Sequence, residues 1–166
     1  FRESLKKDAR VKVPMLVVFR DYPKQLVFGT LMSLATFVLF YLMTVFALSW
    51  GVTALHYSRE TFLLMQLAGI VFFAITIPIS AIVAERGRRR TLIVVTVGIA
   101  AFGFVMAPLL NAGPVGALLT MIVGLSLMGL TYGPLGTVLS ELFPTAVRYT
   151  GSSLTFNFAG IFGASL

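Results

Sequence analysis

Glu141-Leu-Phe-Pro144-Thr145-Ala-Val-Arg148-Tyr-Thr-Gly151 is a short polar stretch between two apolar ones. In a water-soluble domain it would read as an ordinary loop. Here the residues before it, 115–139, and those from 151 onward carry no charge. The pattern repeats toward the start of the chain, where 26–50, 62–84 and 91–110 are also charge-free. About 20 apolar residues wound as an α-helix cross a hydrocarbon layer of about 30 Å. The first four runs are therefore long enough, and residue 151 enters a fifth. Lipid offers no hydrogen-bond partner to an open sheet edge, so these runs are expected as helices. Composition agrees, with 58% hydrophobic and 11% charged residues against about 25% charged in soluble domains. The expected fold class is an all-α, multi-pass membrane protein.

The formal charge of +7 points to nucleic acid only if position is ignored. Arg2, Lys6, Lys7, Arg10, Lys12, Arg20 and Lys24 precede the first run. Arg86, Arg88, Arg89 and Arg90 separate the second from the third, and Arg148 comes after the fourth. Only Arg59 falls in a loop of the opposite side. Basic residues collect on the cytoplasmic side of membrane proteins, so residues 1–24, 85–90 and 140–150 are expected in the cytoplasm and the lipid bilayer is the expected partner. No nucleic-acid partner is expected. Without cysteine there is no disulfide, thiol nucleophile or metal-thiolate site. No catalytic pair lies within the runs, so neither an enzyme, a metal nor a cofactor is expected.

Residues 1–24 read as the end of a cytoplasmic linker with a short amphipathic piece at the membrane surface, and 25–166 as a helical bundle. Phe1 is not an initiator and the last run stops at Leu166, so a longer parent protein is expected. Pro78, Pro108 and Pro134 fall inside spans, which neighbouring helices make tolerable in lipid. His56 reads as a solvated residue of an external loop.

Two loops carry a more specific signal. In Ala84-Glu85-Arg86-Gly87-Arg88-Arg89-Arg90 a glycine permits a tight turn with positive φ, and its cations can reach phosphates or carboxylates. In the opening stretch, Pro144 stops a helix, Thr145 can cap the next, and Gly151 permits close packing. Glu141 and Arg148 can pair with each other or with the arginine cluster. The first loop resembles the Gly-x-x-x-Asp-Arg-x-Gly-Arg-Arg turn of the major facilitator superfamily, with one residue fewer and Ala81 in place of glycine. The second resembles that superfamily's Glu-x-x-Pro-Thr-x-x-Arg-x-x-Gly loop. Gly124-Leu-Ser-Leu-Met-Gly129-Leu-Thr-Tyr132-Gly133-Pro134-Leu-Gly136 is similar to the metabolite:H⁺ symporter family. The resemblance implies a major facilitator fold in which this chain supplies the end of the central linker, helices seven to ten and part of eleven out of twelve. It implies proton-coupled uptake of a small organic acid or zwitterion across the bacterial inner membrane by alternating access, with H⁺ as co-substrate and an amino-terminal half as partner. A sugar porter, a drug exporter and a non-transporting scaffold subunit are the alternatives.

Helical spacing supplies the candidate sites. Thr30, Ser33, Tyr41 and Thr44 fall within about 80° on an ideal helix. Tyr41 and Thr44 are expected to line a substrate cavity with Gln66, Tyr132 and Asn157, with Tyr41 and Asn157 foremost. Gly129, Gly133 and Gly136 fall within about 60° and are expected to form one groove for a neighbouring helix. Glu85, Arg86, Gly87, Arg88, Arg89, Glu141, Pro144, Arg148 and Gly151 are expected to gate the conformational change. None of the five runs contains Asp, Glu, Lys, Arg or His, so a proton-carrying group is expected elsewhere in the parent.

Overall fold

A computed structural model describes residues 14–165. Most of the expected linker, with Arg2, Lys6, Lys7, Arg10 and Lys12, lies outside the described residues. All described secondary structure is helical. Two prolines within the expected linker each open a helix, where a missing N–H costs nothing. Pro14 begins α1 (Pro14–Asp21) and Pro23 begins α2 (Pro23–Tyr41). A π-helical turn (Leu42–Phe46) continues α2 into α3 (Ala47–Thr53), giving one span over Pro23–Thr53. Beyond it lie α4 (Arg59–Glu85), α5 (Arg88–Leu110), α6 (Pro114–Glu141) and α7 (Arg148–Ser165). Four spans are long and apolar enough to cross a membrane. The last helix, α7, is not among them, because Arg148, Thr150, Ser152, Ser153, Thr155 and Asn157 dilute its hydropathy.

The connections are short and locally determined. Ser58 caps α4 by accepting from Thr61 N at 3.1 Å, and His56 holds a left-handed φ of 56° in the preceding turn. Gly113, at φ 90°, turns the chain into Pro114. Gly87 does not adopt the expected left-handed backbone: its φ of 165° is extended. Pro78, Pro108 and Pro134 all sit inside unbroken helices.

Helix α6 is the pillar of the bundle, with 50% of its span buried against 17–28% in the other three. Its most extensive partner is α4, with α5 a distant second, while α2 and α7 form another closely packed pair. Lipid chains are as apolar as leucine, so helices in a bilayer associate through close backbone approach and hydrogen bonds. Small residues supply that approach. A Cβ on Gly129 would lie 2.6 Å from Phe73 O, one on Gly133 would lie 2.8 Å from Ile77 O, and one on Gly69 would lie 2.7 Å from Met121 O. The seam is reciprocal, with glycines on both helices. Gly136 is not part of it, since nothing lies within 4 Å of the Cβ it lacks. By angle it lies only about 20° from Gly129, but it stands beyond the last close contact at Gly133 and lines a cleft shared with α7. The two helix pairs are joined by a buried hydrogen bond of 2.9 Å from Thr36 Oγ1 to Thr131 Oγ1.

Gly133→Leu is expected to overpack this seam at a cost of about 1–3 kcal/mol, whereas Gly136→Ala should stay within about 0.5 kcal/mol. Thermal unfolding of the purified full-length protein in detergent separates the two; equal effects would place both glycines in one groove.

Candidate functional site

The site begins at the π turn. Such a turn inserts one extra residue between hydrogen-bonded groups, here seen as Ala47 N donating to Leu42 O. The insertion rotates the remainder of the helix by up to about 100°, one residue's share of a helical turn. The expected alignment of Thr44 with Tyr41 is therefore lost. Met43 turns inward and is fully buried, seated on Gly124. Thr44 turns outward and donates to Phe40 O at 2.6 Å. Thr30 and Ser33, lower on the stripe, are buried and bonded to their own helix at Leu26 O and Gly29 O.

Gln66 is buried on α4, and its amide is committed to this turn rather than to a cavity. Nε2 donates to Met43 O at 3.2 Å and to Thr44 O at 3.4 Å. A π turn weakens the regular carbonyl ladder, and lipid cannot supply the missing donor. Gln66 does so. No feature of helical periodicity announces a π turn, so periodicity cannot distinguish a brace from a ligand-binding amide.

Tyr41 and Asn157 are brought together. They line one cleft of about 320 Å³ between α2 and α7, with Phe37, Phe156 and Gly160. Its depth is set by α7 lying directly on α2. A Cβ on Gly163 would sit 2.6 Å from Phe37 Cβ, and the Phe37 and Phe156 rings meet edge to face with centroids 4.7 Å apart. Gly160 and Gly163 are not among the residues expected at the site, although their spacing on one helix is a signal that could have found them. Asn157 is not buried as expected. It is exposed, and Nδ2 donates to Ser153 O at 2.8 Å. Tyr132 joins the same aromatic wall, with centroids 5.7 Å from Phe73 and 6.5 Å from Phe156. A small pocket beside it is shared by Thr36, Phe37, Phe40 and Met128. The wall thus presents aromatic faces with a few hydroxyl and amide tips.

At the other end of α6 the two loops meet. Arg88 pairs with Glu141, joining the α4–α5 turn to the α6–α7 loop. Glu141 does not pair with Arg148, whose Nε donates to Phe143 O at 3.4 Å. Glu85, Arg86 and Arg89 form no ion pair among the described residues. Pro144 lies three residues past the end of α6 and accepts from Val147 N at 3.0 Å. Thr145 lies in this turn and not at the helix cap, because α7 starts only at Arg148. Gly151 is needed for contact: the Phe143 ring lies against it, 2.5 Å from the Cβ it lacks. Phe143 and Val147 are buried with Val18 of α1 and Leu26 of α2. The short amphipathic helix therefore anchors the loop, while its Met15, Leu16 and Phe19 remain exposed.

Residues 2–166 match the sequence profile of the Major Facilitator Superfamily. The chain belongs to that superfamily. It is 38% identical over 173 residues to the inner membrane metabolite transport protein YhjE of Escherichia coli, covering 100% of this chain and 39% of that relative. It is likewise 38% identical over 179 residues to a Haemophilus influenzae relative named for metabolite transport, covering 100% of this chain and 41% of the relative. A citrate-proton symporter of Salmonella typhi is 31% identical over 140 residues, or 81% of this chain and 32% of that protein. The chain thus spans about two-fifths of the length of the relatives it matches in full. No solved structure matches it.

Gln66→Leu should leave the two carbonyls without their donor and cost about 1–3 kcal/mol, read as a lower unfolding temperature of the full-length protein. The Arg88–Glu141 pair is 42% and 59% exposed, so solvent limits it to about 0.2–1 kcal/mol. Reversing either charge alone should therefore lower the unfolding temperature of the full-length protein only slightly, and the double reversal should restore it; a large loss in a single variant would show a pair stronger than its exposure allows.

Proposed function

We propose that this chain forms the carboxyl-terminal helices of a proton-coupled transporter that carries a small organic acid or zwitterionic metabolite across the bacterial inner membrane. Residues 85–90 and 140–150 then face the cytoplasm, together with residues 1–24. The observation that carries the reading is the convergence of Tyr41 and Asn157 on one aromatic-walled cleft. Transporter folds of this kind bind substrate near the bilayer midplane between two halves that rock about it. Tyr41, Asn157 and Tyr132 offer neutral hydrogen-bonding groups that orient a polar solute. They carry no charge, so recognition of the substrate's charge at this cleft, and proton coupling, fall to the partner half. The absence of Asp, Glu, Lys, Arg and His from the apolar runs points the same way.

The names of the relatives support the class: metabolite transport for one, citrate–proton symport for another. Loops 85–90 and 140–151 form the gate, with Arg88–Glu141 as the contact that must hold or release as the halves rock. Gln66 and Thr44 leave the substrate set, the first as a brace and the second as an outward-facing hydroxyl.

The test is uptake by the full-length protein in proteoliposomes with an imposed pH gradient, screened across carboxylates, betaines and sugars. Accumulation of a carboxylate or betaine that a protonophore abolishes is the expected result. Accumulation of a sugar alone would assign a sugar porter, and export of apolar cations a drug exporter. A folded protein that moves nothing would favour a scaffold subunit.

A further inference from the structure

A second and larger cleft, of about 600 Å³, opens between α6 and α7 at the end that carries the two loops. Gly136 and Ser140 line it from α6, and Arg148, Ser152, Ser153 and Asn157 from α7. Asn157 also lines the Tyr41 cleft, so the two spaces share a wall. Three features distinguish this cleft from the rest of the surface. Its lining contains one cation and no acid. Arg148 has no carboxylate within ion-pair distance among the described residues, and only its Nε is engaged, leaving both terminal guanidinium nitrogens as donors. Ser153 makes no side-chain hydroxyl bond among the described residues, whereas Ser140 and Ser152 donate to Gly136 O and Arg148 O.

We propose that Arg148 and Ser153 form a second, carboxylate-binding subsite on the cytoplasmic side, occupied as substrate leaves the Tyr41–Asn157 cleft. The inference rests on the organic-acid reading above and adds a defined exit station to it. Nine residues separate Arg148 from Asn157, about 13 Å along the helix axis. Arg148 and Asn157 thus stand at opposite ends of the cleft, and substrate fills the two positions in succession. Ser153 stands four residues from Asn157 and five from Arg148, between the two. A guanidinium offers a carboxylate paired, charge-assisted donors, which the neutral midplane cleft lacks. Gly136 leaves the opposite wall without a side chain.

The test uses the full-length protein carrying one cysteine, Thr145→Cys on the exposed turn of the same cleft, with any other cysteines replaced, in inside-out membrane vesicles without a gradient. Modification by an anionic thiosulfonate should outpace that by a cationic one by about tenfold relative to free cysteine. Citrate or succinate at four times its Kd should slow it by about fivefold. Adding Arg148→Gln should abolish both effects, and Arg148→Lys should keep the charge preference. Ser140→Cys, on the α6 wall of the same cleft, gives an independent position should Thr145→Cys fold poorly. Absence of protection by either acid, or equal protection after Arg148→Gln, overturns the subsite. Protection without carboxylate uptake in proteoliposomes would sustain the subsite and overturn the transport reading. Uptake without protection would do the reverse.

Discussion

The contact on which this bundle depends is the near-touching of the α4 and α6 backbones at Gly69, Gly129 and Gly133. Inside a bilayer there is no water to drive helices together, so association must come from dispersion at short range and from hydrogen bonds. A side chain at any of these three positions would push the axes apart and forfeit the contacts along the whole seam. With α4 and α6 fixed, α5 has a face to pack against and Met43 has a seat on Gly124. The Thr36–Thr131 bond then ties the α2–α7 pair to the same pillar.

That second pair is built differently. Its glycines, Gly160 and Gly163, lie over Phe37, so the helices meet ring against backbone and leave a cleft beside the contact. The π turn places Met43 inward and keeps Tyr41 at the cleft edge, and Gln66 holds the turn by its amide. At the opposite end, Phe143 and Val147 pin the 141–151 loop to α1 and α2 while Arg88 and Arg148 remain near the surface. In the function proposed above, the rigid seam supplies packing, the half-open cleft binding and the surface charges gating.

Much of this is legible in the sequence. Charge-free runs locate four spans and the start of α7, because lipid forces length and polarity together. Pro144 and Gly151 mark the loop geometry, and Gly129 and Gly133 mark the seam. The hidden parts depend on departures from an ideal helix or on partners far away in sequence. The arithmetic that joins Thr44 to Tyr41 assumes about 100° per residue, and one π turn undoes it. Gln66 reads as a ligand-binding amide because its carbonyl partners are 22 and 23 residues away. Gly69 shows no pattern within its own helix and becomes visible only against Met121. Gly136 matches the groove by angle, yet it faces the α6–α7 cleft.

The central claim is that the wall formed by Tyr41, Phe156 and Asn157 faces the substrate. It is tested most directly by uptake kinetics of the full-length Asn157→Ala and Tyr41→Phe proteins, with the amount in the membrane matched to wild type. Loss of one neutral hydrogen bond to substrate corresponds to a rise in KM of about 3- to 10-fold. The account predicts that rise for both variants, with their abundance unchanged. An unaltered KM in both would contradict it and move the binding site off this wall.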